Sequence, residues 1–125
     1  MKILLDTHIF IWWLMKSPHL SNKIVNHIAT ADEVYVSAIS LWEAAIKVKT
    51  GKLDADIDQL RTAIANNHFI DLPMTMDHAL SYSKLPLLHK DPFDRMLVAQ
   101  AITEPLRLLT ADRRLAEYTS LVDLV

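Results

Sequence analysis

Five acidic residues in this chain have the type and placement to do chemistry: Asp6, Glu43, Asp91, Asp94 and Asp112. Asp6 follows Lys2-Ile3-Leu4-Leu5, and Asp112 comes shortly after Leu106-Arg107-Leu108-Leu109. Both apolar runs read as buried strands. Glu43 lies early in a predicted helix that follows Val34-Tyr35-Val36, and Asp91 and Asp94 open another. In an open parallel sheet, ligands bind outside the carboxyl ends of the strands. Acids at strand ends and helix starts are thereby expected to converge on one pocket. Converged carboxylates repel, so they must take up protons or share a cation. Clustered oxygen ligands suit Mg²⁺ or Mn²⁺. The chemistry this predicts is phosphoryl transfer to water. Carboxylates sharing a divalent ion would position the water and lower its pKa for in-line attack on a phosphodiester.

Each acid also has a local structural explanation. Asp6 and Asp112 both precede helical segments that they are able to cap. Glu43 has the spacing of a capping box with Ser40, or of an ion pair with Lys47 one turn on. The functional alternative puts Glu43 on the metal and Lys47 near a substrate phosphate. Leu41 and Trp42 are expected in the core. Asp91-Pro92-Phe93-Asp94 is the most specific local signal. Proline favours the first helical position, which makes Asp91 the cap and puts Asp94 at the third position, pointing into the site. The reverse assignment, or both as ligands, stays open. Arg95 is placed to pair with either acid or to reach a phosphate. Thr7, Lys47, Thr110 and Arg113 are the accompanying candidates for substrate contact or support of the acids. The six histidines show no zinc-binding spacing. His8 and His89 lie near the acids and are candidates to support them. Ser37 has no base nearby in sequence to make it a nucleophile.

The elements that must position these residues alternate between strand and helix, which predicts an α/β fold with a mostly parallel sheet. Strands are expected at 2–5, 34–36, 68–72, 106–109 and 121–124. Helices are expected at 7–15, from Ser21 to about Thr30, from Ser40 to about Thr50, and at 56–66, 75–83 and 92–102, with a helical turn or two at 113–118. Ser17-Pro18 is read as the stop of the first helix and Gly51 as the left-handed stop of the third. In 75–83, Ala79 and Leu80 are expected to face inward. Phe10, Trp12 and Trp13 read as core or dimer contacts.

With 125 residues, the chain is expected to form one domain with a core that needs no disulfide. It has no cysteine, which suits a reducing cytosol, and a cytoplasmic location is expected. Asp6 and His8 interrupt the first apolar stretch, so it does not read as a signal peptide, and the run 9–15 is too short to span a bilayer. A net charge of −2 argues against a generically basic nucleic-acid binder.

Four fragments taken together resemble the PIN-domain family, and within it the VapC-type ribonuclease toxins. They are Ile3-Leu4-Leu5-Asp6-Thr7-His8, Val36-Ser37-Ala38-Ile39-Ser40-Leu41-Trp42-Glu43, the run from His89 to Ala101 that contains Asp91-Pro92-Phe93-Asp94-Arg95, and Leu109-Thr110-Ala111-Asp112. Each is weak alone, and their order and spacing over nearly the whole length are what carry the likeness. The resemblance implies a three-layer α/β/α sandwich and four acids around Mg²⁺ or Mn²⁺, matching Asp6, Glu43, Asp94 and Asp112. Asp91 looks like a subgroup feature. It further implies a structured RNA substrate, a homodimer and an antitoxin partner. Two rival readings are an aspartyl-phosphate phosphatase with Asp6 as nucleophile, and a catalytically silent PIN-like protein-binding module. The first wants a second acid where His8 stands. The second is disfavoured because all four acidic positions are filled.

Overall fold

Strand β1 (Lys2–Leu5) carries three side chains, Ile3, Leu4 and Leu5, that are at most 1% exposed. A strand buried on both faces belongs in the middle of a parallel sheet with helices above and below. The computed structural model, which describes residues 1–125, has that arrangement. After β1 come α1 (Thr7–Leu14), α2 (Asn22–Thr30), β2 (Glu33–Ser37), α3 (Ala38–Lys49), α4 (Ile57–Asn66) and β3 (Ile70–Leu72). Then follow α5 (Met76–Ser83), α6 (Pro92–Thr103), β4 (Arg107–Thr110), a 3₁₀ turn (Arg113–Glu117) and β5 (Val122–Leu124). All strand pairs are parallel, in the order β3-β2-β1-β4-β5. The expected α/β class and sandwich layering are both present. No helix is long and apolar enough to cross a membrane.

Two cores flank the sheet. On one face Ile3, Leu5 and Leu109 pack with Ile9 and Phe10 of α1, Ile24 and Ile28 of α2, and Leu60 and Ile64 of α4. On the other, Leu4 and Leu108 pack with Leu97, Val98 and Ala101 of α6 and with Leu115. Each such fully buried aliphatic side chain contributes roughly 1.5–3 kcal/mol. Trp13, half-buried, tilts against Phe69 with ring centres 6.1 Å apart, and its indole N–H donates to Asn67.

Helix starts follow the capping rules. Ser21 accepts from the Ile24 N–H, Asp56 from Asp58 and Gln59, and Thr75 forms a capping box with His78. Helix ends needed more than the chain's single glycine. Gly51 takes the expected left-handed conformation after α3, but Lys16 and His68 do the same after α1 and α4, at φ of 51° and 60°. All three ends carry the paired hydrogen bonds of a Schellman motif, for example Phe69 N–H to Ile64 O and His68 N–H to Ala65 O, both 3.0 Å.

Several expectations are corrected by these details. Lys16, not Ser17-Pro18, closes α1. His68 is the left-handed stop of α4, so the third strand starts at Ile70 and not at position 68. Ser40 does not cap α3: β2 runs into the helix through Ser37, whose Oγ accepts from the Ile39 N–H at 3.0 Å. Trp42 is 58% exposed, not in the core, and Leu41 is only partly buried. On α5, Leu80 faces solvent, and the side chain turned fully inward is His78.

Candidate active site

Asp6 takes the position directly after β1. Its N–H still donates to the Leu109 carbonyl at 3.0 Å, on the last rung shared with β4. Successive elements leave β1 toward β2 on one side, while β4 lies on the other. Such a reversal of strand order opens a crevice at the carboxyl edge of the sheet. Asp6 is 3% exposed. One of its oxygens caps α1 by accepting from the His8 N–H at 2.9 Å, and the other accepts from the Thr110 hydroxyl. Thr110 Oγ1 in turn accepts the Asp112 N–H at 3.1 Å. Thr110 therefore joins the ends of β1 and β4 and fixes both acids. The ring of His8 lies 3.6 Å from Asp6, and its interaction with that carboxylate raises the imidazole pKa.

Glu43 comes from the first turns of α3. Thr7 donates to Ser40 Oγ at 2.9 Å in the interior, pinning the start of α3 to the start of α1. Glu43 lies three residues beyond Ser40, on the same helix face. It is 6% exposed. Its Oε2 pairs with Lys47 at 3.2 Å, while Oε1 is buried without a hydrogen-bond partner. The Lys47 pairing considered from sequence is present. The capping box is not, because the cap is Ser37.

Asp91 caps α6, accepting from the N–H groups of Phe93 at 2.8 Å and Asp94 at 3.3 Å. Asp94 is turned inward and is 6% exposed. Its Oδ2 lies 3.1 Å from His89 Nε2, which also lies 3.6 Å from Asp112 Oδ2. Burial raises the Asp94 pKa to about 6, and the negative charges of Asp6, Asp91 and Glu43 push the same way. Asp6, Asp91 and Glu43 are thus within electrostatic reach of Asp94. Asp112 caps the 3₁₀ turn and is gripped by the Arg114 guanidinium at 2.9–3.1 Å, which holds its pKa below the ordinary value.

Two cation contacts were not read from the sequence. Arg113 is exposed and the contact to Asp112 belongs to Arg114. Arg95 turns away from both aspartates, donating to the Tyr82 hydroxyl and the Leu85 carbonyl with its guanidinium 4.5 Å from the Tyr82 ring centre. Both depend on side-chain direction, which residue spacing does not encode. A hollow between Val36, Leu41, Ile64 and Leu72 opens near the ends of β2 and β3, but its one acid, Asp71, is held bidentately by Arg61. The cluster of acids at β1 and β4 is therefore the better site for chemistry.

The donor set consists of carboxylate oxygens, with one buried oxygen of Glu43 left unpaired and one aspartate whose ionisation is resisted by its neighbours. A hard divalent cation satisfies both deficits. Asp6, Glu43, Asp94 and Asp112 are the candidate ligands for such an ion, and their oxygen chemistry is compatible with Mg²⁺ or Mn²⁺. His89, Asp94 and Asp112 also bring three potential ligand atoms within 4.8 Å of one another.

The layered fold and an acidic crevice at the strand-order reversal define the class, and the family profile of the PIN domain matches residues 3–121. The chain belongs to the PIN-domain family. It is 33% identical over 118 residues to ribonuclease VapC22 of Mycobacterium tuberculosis (strain ATCC 25618 / H37Rv), covering 93% of this chain and 91% of that protein. Among solved structures it is similar to VapBC2 from Rickettsia felis bound to a DNA fragment from their promoter, with a TM-score of 0.75 at 18% identity over 99% of this chain and 98% of that one. A toxin-antitoxin complex from Klebsiella pneumoniae gives a TM-score of 0.68 at 21% identity over 97% and 95%. At these identities the structural likenesses establish the fold.

Proposed function

We propose that the protein is a divalent-metal-dependent endoribonuclease, the toxin of a toxin–antitoxin pair, acting in the cytoplasm on structured RNA. The observation that carries the metal-dependent part is the charge imbalance of the site: Glu43 Oε1 has no partner and the Asp94 pKa is pushed up to about 6. The ribonuclease activity named for the VapC22 relative supports the substrate class.

When bound, the ion supplies Lewis acidity at the scissile phosphate and activation of the attacking water. Asp6, Glu43, Asp94 and Asp112 would hold it. Thr110 and the His8 N–H keep Asp6 from rotating. Lys47 neutralises one oxygen of Glu43 and stands ready for a phosphate oxygen, as does Arg113 at the rim. Thr7 acts through Ser40, keeping α3 and hence Glu43 in register with Asp6. Asp91 shapes the site as the cap of α6 and as a nearby negative charge. The phosphatase reading fits less well, since His8 stands where that chemistry wants a second acid.

The proposed partners are an antitoxin, as in the toxin–antitoxin complexes of similar fold, and a second copy of the chain. Exposed apolar side chains such as Met76, Leu80 and Leu87 offer candidate contact area for them.

The test is incubation of purified protein with total cellular RNA, with Mn²⁺ or EDTA, beside Asp94→Asn. Discrete fragments that require both metal and Asp94 are expected, with the variant down by at least about 100-fold. Full activity in Asp94→Asn would remove Asp94 from the site. No metal-dependent cleavage by folded, antitoxin-free protein would count against the nuclease reading.

A further inference from the structure

Three atoms meet at the centre of the site: His89 Nε2, Asp94 Oδ2 and Asp112 Oδ2. The first lies 3.1 Å from the second and 3.6 Å from the third. Two roles for His89 agree with those separations. Ligands about 2.1 Å from one small cation stand roughly 3.0–3.4 Å apart. An N–H group donating to a carboxylate stands about 2.7–3.2 Å from it.

The other ring nitrogen decides between them. The Lys90 backbone N–H donates to His89 Nδ1 at 3.0 Å. A nitrogen that accepts carries no proton, and a neutral imidazole has one proton to place. It therefore sits on Nε2, which donates it to Asp94. For Nε2 to ligate a cation, the proton would have to move to Nδ1, leaving two N–H groups facing each other beside the site. His89 is 9% exposed, so water is poorly placed to separate them.

We propose that His89 is a positioning residue, locked as the Nε2–H tautomer by the Lys90 backbone, that holds one oxygen of Asp94 and leaves the other to the metal without itself ligating it. This rests on the metal-dependent reading of the site. A ligating carboxylate gains orientation from such an outer hydrogen bond. Asp94 needs it, because Asp6, Glu43 and Asp91 all repel it and its own oxygens have no other side-chain donor. His78 has the same wiring far from the acids: the Thr75 N–H donates to Nδ1 at 3.0 Å, and Nε2 lies 2.5 Å from Glu104. It serves as an internal reference for the tautomer.

Long-range ¹H–¹⁵N correlation spectra of the labelled full chain read the tautomer directly, without metal and with diamagnetic Mg²⁺. The Nε2–H form of His89 is expected in both. An Nδ1–H ring in the metal-free spectrum, or transfer of the proton to Nδ1 on adding Mg²⁺, would overturn the proposal. Calorimetric Mn²⁺ affinity supplies the second readout. His89→Ala is expected to weaken binding by about 10–100-fold, whereas His89→Gln, whose amide N–H replaces Nε2–H, stays within about threefold of wild type. Equal losses in two folded variants would overturn it too. Failure of the wild-type chain to bind either ion would instead sink the nuclease reading, while the metal-free spectrum still decides the tautomer.

Discussion

Ionising Asp94 works against the folded state. Its native pKa of about 6 lies above the ordinary 3.8, so the folded chain binds the proton more tightly than the unfolded chain does. The resulting stability is fully present below the unfolded pKa and is lost as pH rises from about 4 to about 6. Asp112 and Asp123 are shifted down by Arg114 and Arg107, so their contributions have the opposite sign and disappear only in stronger acid. Urea titrations of the metal-free protein are expected to show Asp94→Asn more stable than wild type near pH 7, on the order of 1–3 kcal/mol. The gain should vanish near pH 4, where wild-type Asp94 is largely protonated as well. A variant no more stable than wild type at neutral pH would mean that the carboxylate is better solvated than its surroundings imply. In the same window the proton competes with the ion, so metal affinity should fall as pH drops below about 6. The acids themselves were readable because strand ends and a proline-marked helix start fix where they stand. The contacts of His89, Arg95 and Arg114 were not, because they depend on loop path and side-chain reach.

Helix α3 inverts the usual pattern. Its buried residues are Ile39, Ser40, Glu43 and Ala44, while Trp42 and Ile46 are exposed. A sequence reading that places aromatic residues inside therefore assigns Trp42 to the wrong face. Local rules fail most often where a site has been built into an element. Trp42 instead meets Phe93 of α6 edge-on, with ring centres 5.1 Å apart. The helix ends show a second limit to legibility. Gly51 was legible as a left-handed stop because glycine announces it, but Lys16 and His68 adopt the same conformation with side chains that disfavour it. His68 is exposed and no side-chain hydrogen bond holds it. His68→Gly is expected to stabilise the protein by about 0.5–1 kcal/mol, the relief of backbone strain being partly offset by a freer unfolded chain. Thermal unfolding should register this as a rise of a few degrees; a fall would mean that the imidazole makes contacts worth more than the strain.

Across the whole molecule, alternating strands and helices were enough to predict a parallel sheet, since each strand is short, apolar and followed by helical periodicity. The strand order was not legible, because no local signal says which side of β1 a returning strand will join. That order matters for electrostatics, as it gathers the acids on one edge of a chain with net charge −2. If the proposed function holds, RNA is expected to be held by a few cations, with Lys47, Lys90 and Arg113 as the candidates. With two or three phosphate contacts, the slope of log affinity against log salt should be shallow, about −1.5 to −2. Binding of an uncleaved RNA to Asp94→Asn over a salt series measures it, and a slope several times steeper would require a basic surface elsewhere. The bond from Thr110 to Asp6 joins residues separated by 104 positions. A ribosome making this chain releases Asp6 well before Thr110, so the crevice stays open-ended until β4 has emerged. A chain stopped before Thr110 therefore lacks the anchor that holds Asp6 and is expected to have no competent acidic site.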